Sequence, residues 1–598
     1  MNRLPRELID NICAFLPKHD LKNLLTVSVP FRYAAEMHSG AFEKFTIDEN
    51  NSERFLTLYS GHRLPYLQEV IFRPSIAEPV PRKNTNGWWE CREDEQGLLA
   101  TDESFTKQVR SLFDTLKTLE TSVKGDPAQC CYRLTVYSPT RKIDSNRLCF
   151  HHGYLSWRIH LLHPWDLPTV SSIISLELRN TNCRDEFWLG DELKVDPRVA
   201  LDLATKLPNL EALNLQTGAY EWCATRGDEE PTRHYECDWS GPRKYIPYLV
   251  LLIYVICYPE KGMFRSPQAQ LPLYWHERNL MFWKLLLISA WYSRDARHGF
   301  ANAVKGYTED LPSSLWRASL DFLCPLDRSI DFDHAKGQPN LVNPAKWDPF
   351  SSSLRILICN LRQLRLRAAI DESLFWPEDG SQTFGPNLEI LEITFQIAHP
   401  SGKWYFQGPD ERGRDAVGFE ITSSCYPPYQ TSELDLDMDS LQDEVGFPCY
   451  TRGGAQFRIV PHDANLRPLL EGYAKAAQGM HRLKEAALWT VLRWKPESDS
   501  DSGSEMNDVD DDYGGGAWGI TYSAPELAEP KQSCRLLTWT VDRWRPDPEL
   551  HDAFQRIGRT KHGETLEENW IDGLGSERSF RYYMNRRCPL GDFPSDDR

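Results

Sequence analysis

The sequence LPNLEALNL, at residues 207–215, combines a chain turn with a short alternation of apolar residues. Leu213 and Leu215 fall on one side of an extended chain, because successive side chains of a strand point to opposite faces. The Pro-Asn pair before them is typical of a turn. The preceding residues, 197–206 (PRVALDLATK), have the apolar spacing of a helix. The stretch therefore predicts a helix, a turn and a strand, in that order.

Related phrases recur along the chain, each with a Leu-Pro, Pro-Asn-Leu or similar lead-in before a short strand-like alternation. There are six of them, at residues 64–72, 173–178, 207–215, 354–358, 387–393 and 480–488. A second helix-like segment, at residues 466–479, precedes the last phrase. Strands of this kind bury one apolar side when they stack in parallel and a helix covers them. The phrases therefore predict an α/β body in which helices and parallel strands alternate.

Leu210, Leu213 and Leu215 have the L-x-x-L-x-L spacing that is similar to a leucine-rich repeat, and residues 388–393 have it again. This resemblance implies an irregular leucine-rich-repeat-like α/β solenoid with long insertions. The intervals between the phrases are uneven, so an ordinary α/β domain with unrelated strands is the alternative interpretation.

The first forty or so residues have a different pattern, LPRELIDNICAFLPKHDLKNLLTVSVPFRYAA at residues 4–35. Apolar residues at helical spacing predict one stripe on a first helix: Leu8, Ile9, Ile12, Phe15 and Leu16. Pro5 starts this helix and Pro17 ends it. Asp20 is predicted to cap a second helix, and Gly40 to close a third that follows Pro30. So small a unit buries little apolar surface alone and needs a partner or a following domain.

These residues resemble the F-box, the module by which substrate receptors dock on the Skp-family adaptor of cullin-based ubiquitin ligases. The matching run is Leu4-Pro5-x-Glu7-Leu8-Ile9-x-x-Ile12-x-x-Phe15-Leu16, then Asp20-Leu21-x-x-Leu24-Leu25-x-Val27-Ser28, then Phe31-Arg32. The resemblance implies an adaptor-binding set made of Leu4, Pro5, Leu8, Ile9, Ile12, Leu16, Leu21 and Leu25. A plain helical cap on a larger domain is the alternative.

Two C-terminal segments, residues 469–489 and 534–558, resemble the closing segments of large F-box proteins from filamentous fungi. With the N-terminal unit they bracket the chain and suggest four divisions. These are an F-box (1–42), an irregular leucine-rich-repeat-like body (43–495), a disordered acidic insertion (496–516) and a closing segment of the body (517–598).

The composition is that of a globular, aromatic-rich chain, with 41% apolar residues, 20 Trp, 24 Tyr and 26 Phe among 598 residues. Residues 433–444 and 497–512 carry fourteen acidic residues and no basic ones, so the formal net charge rises from −18 to −4 without them. A near-neutral body lacks the basic face that nucleic acid requires. No nucleic-acid partner is therefore expected.

The fifteen cysteines are scattered without paired spacing, and the chain begins with no signal-like segment. We therefore expect reduced thiols and a cytoplasmic or nuclear location. The longest apolar run, residues 245–258, has fourteen residues including Pro247, which is too short to span a bilayer. No membrane association is expected.

Catalytic and metal-binding patterns are incomplete throughout. The glycines at 514–516 lack the Gly-Lys-Ser/Thr ending of a phosphate loop, and His276-Glu277 lacks the second histidine of a zinc-protease helix. One cluster is tempting, formed by Cys130, Cys131, Cys149, His151 and His152. Adjacent cysteines fit the ligand spacing of zinc poorly, and buried thiols explain them better. We expect no catalytic residue, no cofactor and no metal.

Four residues are candidates for binding a target protein. Trp222 and Trp239 lie in the long aromatic loop 218–245, and tryptophan supplies much of the binding energy at interfaces. Arg365 and Arg367 alternate with leucines in LRQLRLR, which places basic groups on one face of a strand. Burial of the loop over the body, and an exposed strand face balanced by nearby acids, are the simpler interpretations.

The sequence thus favours a non-catalytic substrate-recognition subunit of a cullin-based (SCF-type) ubiquitin ligase. Its F-box would dock on a Skp-family adaptor, and through it a cullin, while the body would bind an unknown target protein. One alternative is a leucine-rich-repeat scaffold that holds the adaptor without ubiquitin-ligase activity. Another is an enzyme hidden in the irregular central region.

Overall fold

A sheet of twelve strands organises the computed structural model, which is a mixed α/β structure. The residues that the structure describes are 4–77, 82–83, 89–90, 95–122, 131–141, 158–179, 193–218, 296–324, 326, 333–376, 384–422, 455–494, 515–525 and 534–573. Within these residues the sheet is open, since its two end strands each pair with one neighbour.

The strands of the sheet follow one another in the same order as along the chain. They are β1 (Lys44–Ile47), β2 (Glu69–Phe72), β3 (Tyr132–Tyr137), β4 (Ile173–Arg179), β5 (Ala212–Gly218), β6 (Arg317–Cys324), β7 (Gln363–Ala368), β8 (Ile390–Phe395), β9 (Glu485–Arg493), β10 (Gly515–Ser523), β11 (Arg535–Thr540) and β12 (Leu566–Ile571). The first nine run parallel to one another. β10 is antiparallel to both β9 and β11, and β12 is parallel to β11.

Eleven α-helices are present in the described part of the chain. They are α1 (Arg6–Phe15), α2 (Lys18–Leu24), α3 (Val29–Ser39), α4 (Ser52–Tyr59), α5 (Glu95–Ser122), α6 (Arg198–Ala204), α7 (Ala296–Gly306), α8 (Pro349–Ile358), α9 (Asp463–Gly479), α10 (Pro548–Gln555) and α11 (Arg559–His562). Short 3₁₀ turns occur at Leu64–Tyr66, Pro164–Asp166, Glu372–Leu374 and Pro409–Glu411. Two-residue strands pair as Ser75–Ile76 with Thr140–Arg141, Arg82–Lys83 with Trp89–Glu90, Pro339–Asn340 with Phe419–Glu420, and Phe406–Gln407 with Val460–Pro461.

The two faces of the sheet differ in chemistry because alternate residues of each strand point to opposite sides. One row in register is apolar and buried: Leu134, Leu176, Leu213, Ala318, Leu364, Leu391 and Ala486. The next row, one residue further along each strand, is mostly polar: Thr135, Glu177, Asn214, Ser319, Arg365 and Glu392. The apolar face is continuous with the main hydrophobic core, to which helices such as α6, α8 and α9 contribute.

Six strands are entered through the same turn, which we call the lead-in turn. In each turn, the backbone N–H of a buried leucine donates a hydrogen bond to the carbonyl three residues earlier, at 3.0–3.1 Å. This leucine stands two residues before the strand begins. The pairs are Leu67 to Leu64, Leu210 to Leu207, Leu315 to Pro312, Leu361 to Ile358, Leu388 to Gly385 and Leu483 to Met480. These turns precede β2 and then each strand from β5 to β9.

Side chains also join two of the lead-in turns to a preceding part of the chain. Asn209 Nδ2 donates to the Ser171 carbonyl at 2.9 Å, and Ser314 Oγ donates to the Leu210 carbonyl at 2.8 Å. Both residues directly precede the buried leucine of their turn. The Pro-Asn-Leu phrase therefore has a physical basis. The proline favours the turn, the asparagine side chain forms the hydrogen bond to the preceding part of the chain, and the leucine is buried in the core.

Most of the strand and helix predictions in the body are confirmed. The phrases at 64–72, 173–178, 207–215, 387–393 and 480–488 overlap β2, β4, β5, β8 and β9, and the helix-like segments at 197–206 and 466–479 overlap α6 and α9. The strand predicted at 354–358 is wrong, since these residues lie inside α8. Leu354, Leu357 and Ile358 are buried at i, i+3 and i+4, which is helical spacing, and the strand of this region is β7.

The N-terminal residues form three short helices with a small core of their own, separate from the main core. Pro5 directly precedes α1, and Gly40, with φ of 71°, closes α3 as predicted. The prediction for Asp20 is wrong, because α2 begins at Lys18 and Asp20 lies within its first turn. The third helix begins earlier than predicted, and the Ser28 side chain caps it by accepting the Phe31 N–H at 3.5 Å.

The predicted acidic insertion, 496–516, lies outside the described residues except for Gly515 and Gly516, which already belong to β10. The acidic run at 433–444 lies outside them as well. Among the helices that the structure describes, none combines the length and the apolar character needed to cross a bilayer.

Candidate functional site

The most exposed apolar surface of the N-terminal helices runs along α1. Leu8, Ile12 and Phe15 stand at i, i+4 and i+7, and their side chains are 48%, 42% and 89% exposed. We call these three residues the outer stripe. Exposed apolar residues that line up in this way are characteristic of surfaces that bind another protein.

A second stripe on the same helix faces inward. Ile9 and Cys13 are buried in the small core, and Leu16 is partly buried against it. The single apolar stripe predicted for this helix is therefore two adjacent stripes, because apolar residues at consecutive positions such as 8 and 9 lie about 100° apart around the axis. The inner stripe holds the three helices together, and the outer stripe remains exposed to solvent.

The predicted adaptor-binding residues divide in the same way. Leu4, Pro5, Leu8, Ile12 and Leu25 are exposed, whereas Leu16 is half-buried. Ile9 and Leu21 are each only 2% exposed and support the helices from within.

The prediction of adaptor contacts omitted several exposed apolar residues of the N-terminal helices. Phe15 is the most exposed of them, and Val27 and Val29 are also open to solvent. Phe15 could have been included from the sequence, because it continues the helical spacing that begins at Leu8. The two valines lie at and before the start of α3, where sequence periodicity carries no information about exposure.

A buried carboxylate joins the N-terminal helices to the body. In α3, Glu36 Oε1 accepts a hydrogen bond from Arg63 Nη2 at 2.7 Å. Glu36 Oε2 accepts one from Arg63 Nε at 3.0 Å and also lies 2.7 Å from His62 Nε2. The hydrogen bond from Arg63 is the main cause that holds the pKa of Glu36 below its ordinary value. His62 also stacks on Tyr33 with ring centroids 3.8 Å apart, and Tyr66 Oη donates to the Tyr33 carbonyl.

Arg365 and Arg367, predicted as candidates for binding a target, lie inside the structure. They are 2% and 9% exposed. Arg365 Nε contacts Glu392 Oε2 at 2.6 Å, and Arg367 Nη1 contacts Asp321 Oδ2 at 3.2 Å. The interpretation of an exposed strand face is therefore wrong, although the predicted balance by neighbouring acids is present. Trp222 and Trp239 lie outside the described residues.

Asp371, Glu372 and His399 bring three potential metal-ligand atoms within 4.8 Å of one another. The hydrogen bonds of the cluster do not suit a cation, however. Ser401 N–H donates to His399 Nδ1 at 2.9 Å, so the proton of the neutral ring is on Nε2, the atom that faces Glu372 at 3.7 Å. A metal would need the lone pair of that nitrogen, and we interpret the cluster as hydrogen-bonded.

The cysteine and histidine cluster of the sequence is represented by Cys131 alone, which is exposed, because its other four members lie outside the described residues.

Comparison of the chain with protein-family models gave no match, and comparison with curated proteins gave none. Its function is therefore inferred from its own residues and geometry. The outer stripe of α1 and the parallel sheet of the body are the two features on which that inference depends.

Proposed function

We propose that this protein is a substrate-recognition subunit of a cullin-based, SCF-type ubiquitin ligase. Its N-terminal helices act as an F-box that docks on a Skp-family adaptor, and its body binds a target protein. The observation that carries the proposal is the outer stripe, Leu8, Ile12 and Phe15, left exposed on helices whose sequence resembles the F-box.

The burial pattern supports docking through α1. A short helix that keeps a second apolar stripe in water loses the free energy its burial would provide, about 25 cal/mol for each Å² of apolar surface. A partner that covers Leu8, Ile12 and Phe15 recovers this free energy. The small separate core allows the unit to keep its shape while it does so.

The order of the strands supports the second part of the proposal, an irregular leucine-rich-repeat-like solenoid. Each parallel strand pairs with the next one along the chain, and the same lead-in turn recurs six times. Such stacking requires only nearest-neighbour contacts, so insertions of unequal length are tolerated between repeats. An extended sheet of this kind offers a long surface to a target protein.

A receptor of this type needs no acid, base or nucleophile of its own. Binding a target beside a ubiquitin-charged enzyme raises the effective concentration of one reactant near the other. The rate of transfer then depends on how the body and the N-terminal helices are held relative to each other. Glu36, with its bonds to Arg63 and His62, is the described residue that fixes this relation most directly.

Adaptor binding tests the proposal. The double variant Leu8→Asp with Ile12→Asp should bind a purified Skp-family adaptor at least about 30-fold more weakly, since one lost hot-spot contact costs about 2 kcal/mol. Both side chains are exposed, so helical content measured by circular dichroism should be unchanged. Leu16→Asp is a poorer test, because Leu16 packs against the small core.

The matched control is Val417→Asp, an equally drastic change at an exposed apolar residue of the body. It should leave adaptor binding unchanged. Adaptor affinity that survives the double variant would exclude the outer stripe as the docking surface. Adaptor binding without co-purifying cullin or ubiquitin transfer would favour the scaffold alternative.

A further inference from the structure

A cavity of about 500 Å³ lies at the edge of the sheet where the parallel strands begin. Residues of the lead-in turns before β6, β7, β8 and β9 line it, among them Trp316, Asn360, Arg362, Glu389 and Arg482. Because these turns repeat one geometry, residues at equivalent positions can be compared from turn to turn. We call this edge the rim.

The first set of equivalent positions stands three residues before each strand. Ser314 donates to the Leu210 carbonyl, and Asn387 Nδ2 donates to the Cys359 carbonyl at 3.5 Å. Their polar side chains are therefore used to join neighbouring turns. Asn360 and Arg482 occupy the same position before β7 and β9, and neither side chain has a hydrogen-bond or ion-pair partner among the described residues.

The second set stands one residue before each strand. Trp316 Nε1 donates to Glu211 Oε2 at 3.4 Å, and Lys484 Nζ contacts Glu389 Oε2 at 2.6 Å. Arg362 stands between these two pairs in the sheet. Its backbone takes part in the ladder, while its exposed guanidinium has no ion-pair partner in the described part of the chain.

Among the side chains that line the cavity, those of Arg362, Arg482 and Asn360 can donate and have no partner in the described part of the chain. Two of them are guanidinium groups, which only donate and which match a carboxylate through two parallel hydrogen bonds. The carboxylate of Glu389 adds no net negative charge, because Lys484 pairs with it. The local charge is positive on a chain whose formal net charge is −18.

The spacing of the two arginines limits the ligand. Arg362 precedes β7 and Arg482 lies in the turn before β9, two strands away, so their backbones are about 10 Å apart at a strand spacing of about 4.8 Å. When both arginine side chains are extended, one small anion does not reach both guanidinium groups. Two acidic side chains on one peptide can each pair with one of them.

We propose that the rim cavity binds an acidic peptide segment through the guanidinium groups of Arg362 and Arg482 and the side-chain amide of Asn360. That this segment belongs to a target protein rests on the proposed function, whereas the chemistry of the cavity does not. The cavity lies on the body, away from the outer stripe, so the two surfaces can be tested separately.

The experiment measures binding of a fluorescently labelled glutamate-rich peptide to the full chain by anisotropy. A peptide with every glutamate replaced by glutamine is the ligand control. The glutamate peptide should bind saturably and the glutamine peptide at least about tenfold more weakly, a difference of about 1.4 kcal/mol. Arg362→Gln with Arg482→Gln should weaken binding of the glutamate peptide by at least the same factor.

The protein control is Arg54→Gln, at an exposed arginine of α4, which should leave peptide binding unchanged. Equal affinity for both peptides, or a double variant that binds like the unaltered chain, would overturn the proposal. Binding of inorganic phosphate without binding of the glutamate peptide would overturn the assignment to carboxylates.

The two proposals fail independently. Arg362→Gln with Arg482→Gln should retain adaptor binding, and Leu8→Asp with Ile12→Asp should retain peptide binding. Loss of adaptor binding in the rim variant would show that the change is global and would overturn the separation of the two surfaces.

Discussion

Asp371 is a buried carboxyl group whose surroundings disfavour its charged form. Burial, and then the nearby carboxylate of Asp348, raise its pKa from 3.8 to about 6. The Ser373 N–H and hydroxyl both donate to Asp371 Oδ1, which keeps the group in place. A pKa raised in the folded state means that folding binds a proton between about pH 4 and pH 6. The contribution of Asp371 to stability therefore falls as the pH rises through that window and is lowest above it.

Asp371→Asn should accordingly stabilise the protein at neutral pH. The amide keeps an oxygen that can accept from Ser373 and removes the repulsion with Asp348, so the free energy of unfolding should rise by about 1–3 kcal/mol at pH 7. The gain should shrink as the pH falls from 6 towards 4, because the carboxyl group of Asp371 then becomes protonated in the folded state and no longer repels Asp348. Thermal unfolding followed from pH 4 to pH 7 measures both effects.

The exposed Asp415 provides the control for this prediction. Asp415→Asn should change the unfolding temperature little at any pH. A gain from Asp371→Asn that does not vary with pH would show that the shifted pKa is not its cause.

At the scale of the element, the lead-in turn is the unit that repeats and that local sequence specifies best. Leu-Pro and Pro-Asn-Leu bend the chain and place a leucine in the core two residues before the strand. These are short-range effects, and the sequence pattern predicted four of the six strands that a lead-in turn precedes, namely β2, β5, β8 and β9. It failed at 354–358, where Leu354, Ile356 and Ile358 alternate as in a strand although the buried residues follow a helical period. In short apolar runs the two periods overlap.

The turn before β8 also depends on a glycine. Gly385 has φ of 46°, and a Cβ there would lie 2.3 Å from Leu388 Cδ1. Gly385→Ala should therefore lower the free energy of unfolding by about 1–3 kcal/mol, because it combines a left-handed backbone with displacement of the buried leucine. Chemical denaturation provides the measurement.

The same substitution should have the opposite effect within α7. A methyl group added at Gly299 would meet no atom within 4 Å, and the backbone there is that of an ordinary helix. Gly299→Ala should raise stability by about 0.5–1 kcal/mol, since alanine favours a helix interior over glycine. Equal effects at the two glycines would contradict the role assigned to the lead-in turn.

At the scale of the whole molecule, the small core of the N-terminal helices and the main core meet at a polar joint. The small core of the N-terminal helices is separate from the main core, and Glu36 bridges to Arg63 and His62 between them. Charge-assisted hydrogen bonds of this kind are directional, so they hold an angle as well as a distance. The joint would thus set how an adaptor on the outer stripe, as we propose, lies relative to a peptide at the rim.

Glu36→Ala should loosen this joint without unfolding the sheet. Loss of the carboxylate leaves Arg63 and His62 without their shared acceptor and should cost about 1–3 kcal/mol locally. Hydrogen exchange should become faster in α3 and in the Leu64–Tyr66 turn, while β5 to β9 keep their protection. Glu53→Gln, at an exposed position of α4, is the control. Faster exchange throughout the sheet would show that the two cores unfold as one.

The sequence by itself determined the features that depend on neighbours along the chain. The amphipathic character of α1, the left-handed Gly40 after α3 and the leucine-anchored turns before the strands follow from local spacing and backbone preference. The mixed α/β class follows from the alternation of these elements.

Only the tertiary structure decided the features that depend on which strands and helices become neighbours. It separated the outer stripe from Ile9 and Leu16, paired Arg365 with Glu392, and gathered Arg362 and Arg482 at one cavity although 120 positions separate them in the chain. Exposure and ion pairing are set by what packs against a side chain. The periodicity of a sequence indicates only which face of its own helix or strand a side chain lies on. It therefore predicts the helices and strands, but not which of their faces become buried or exposed.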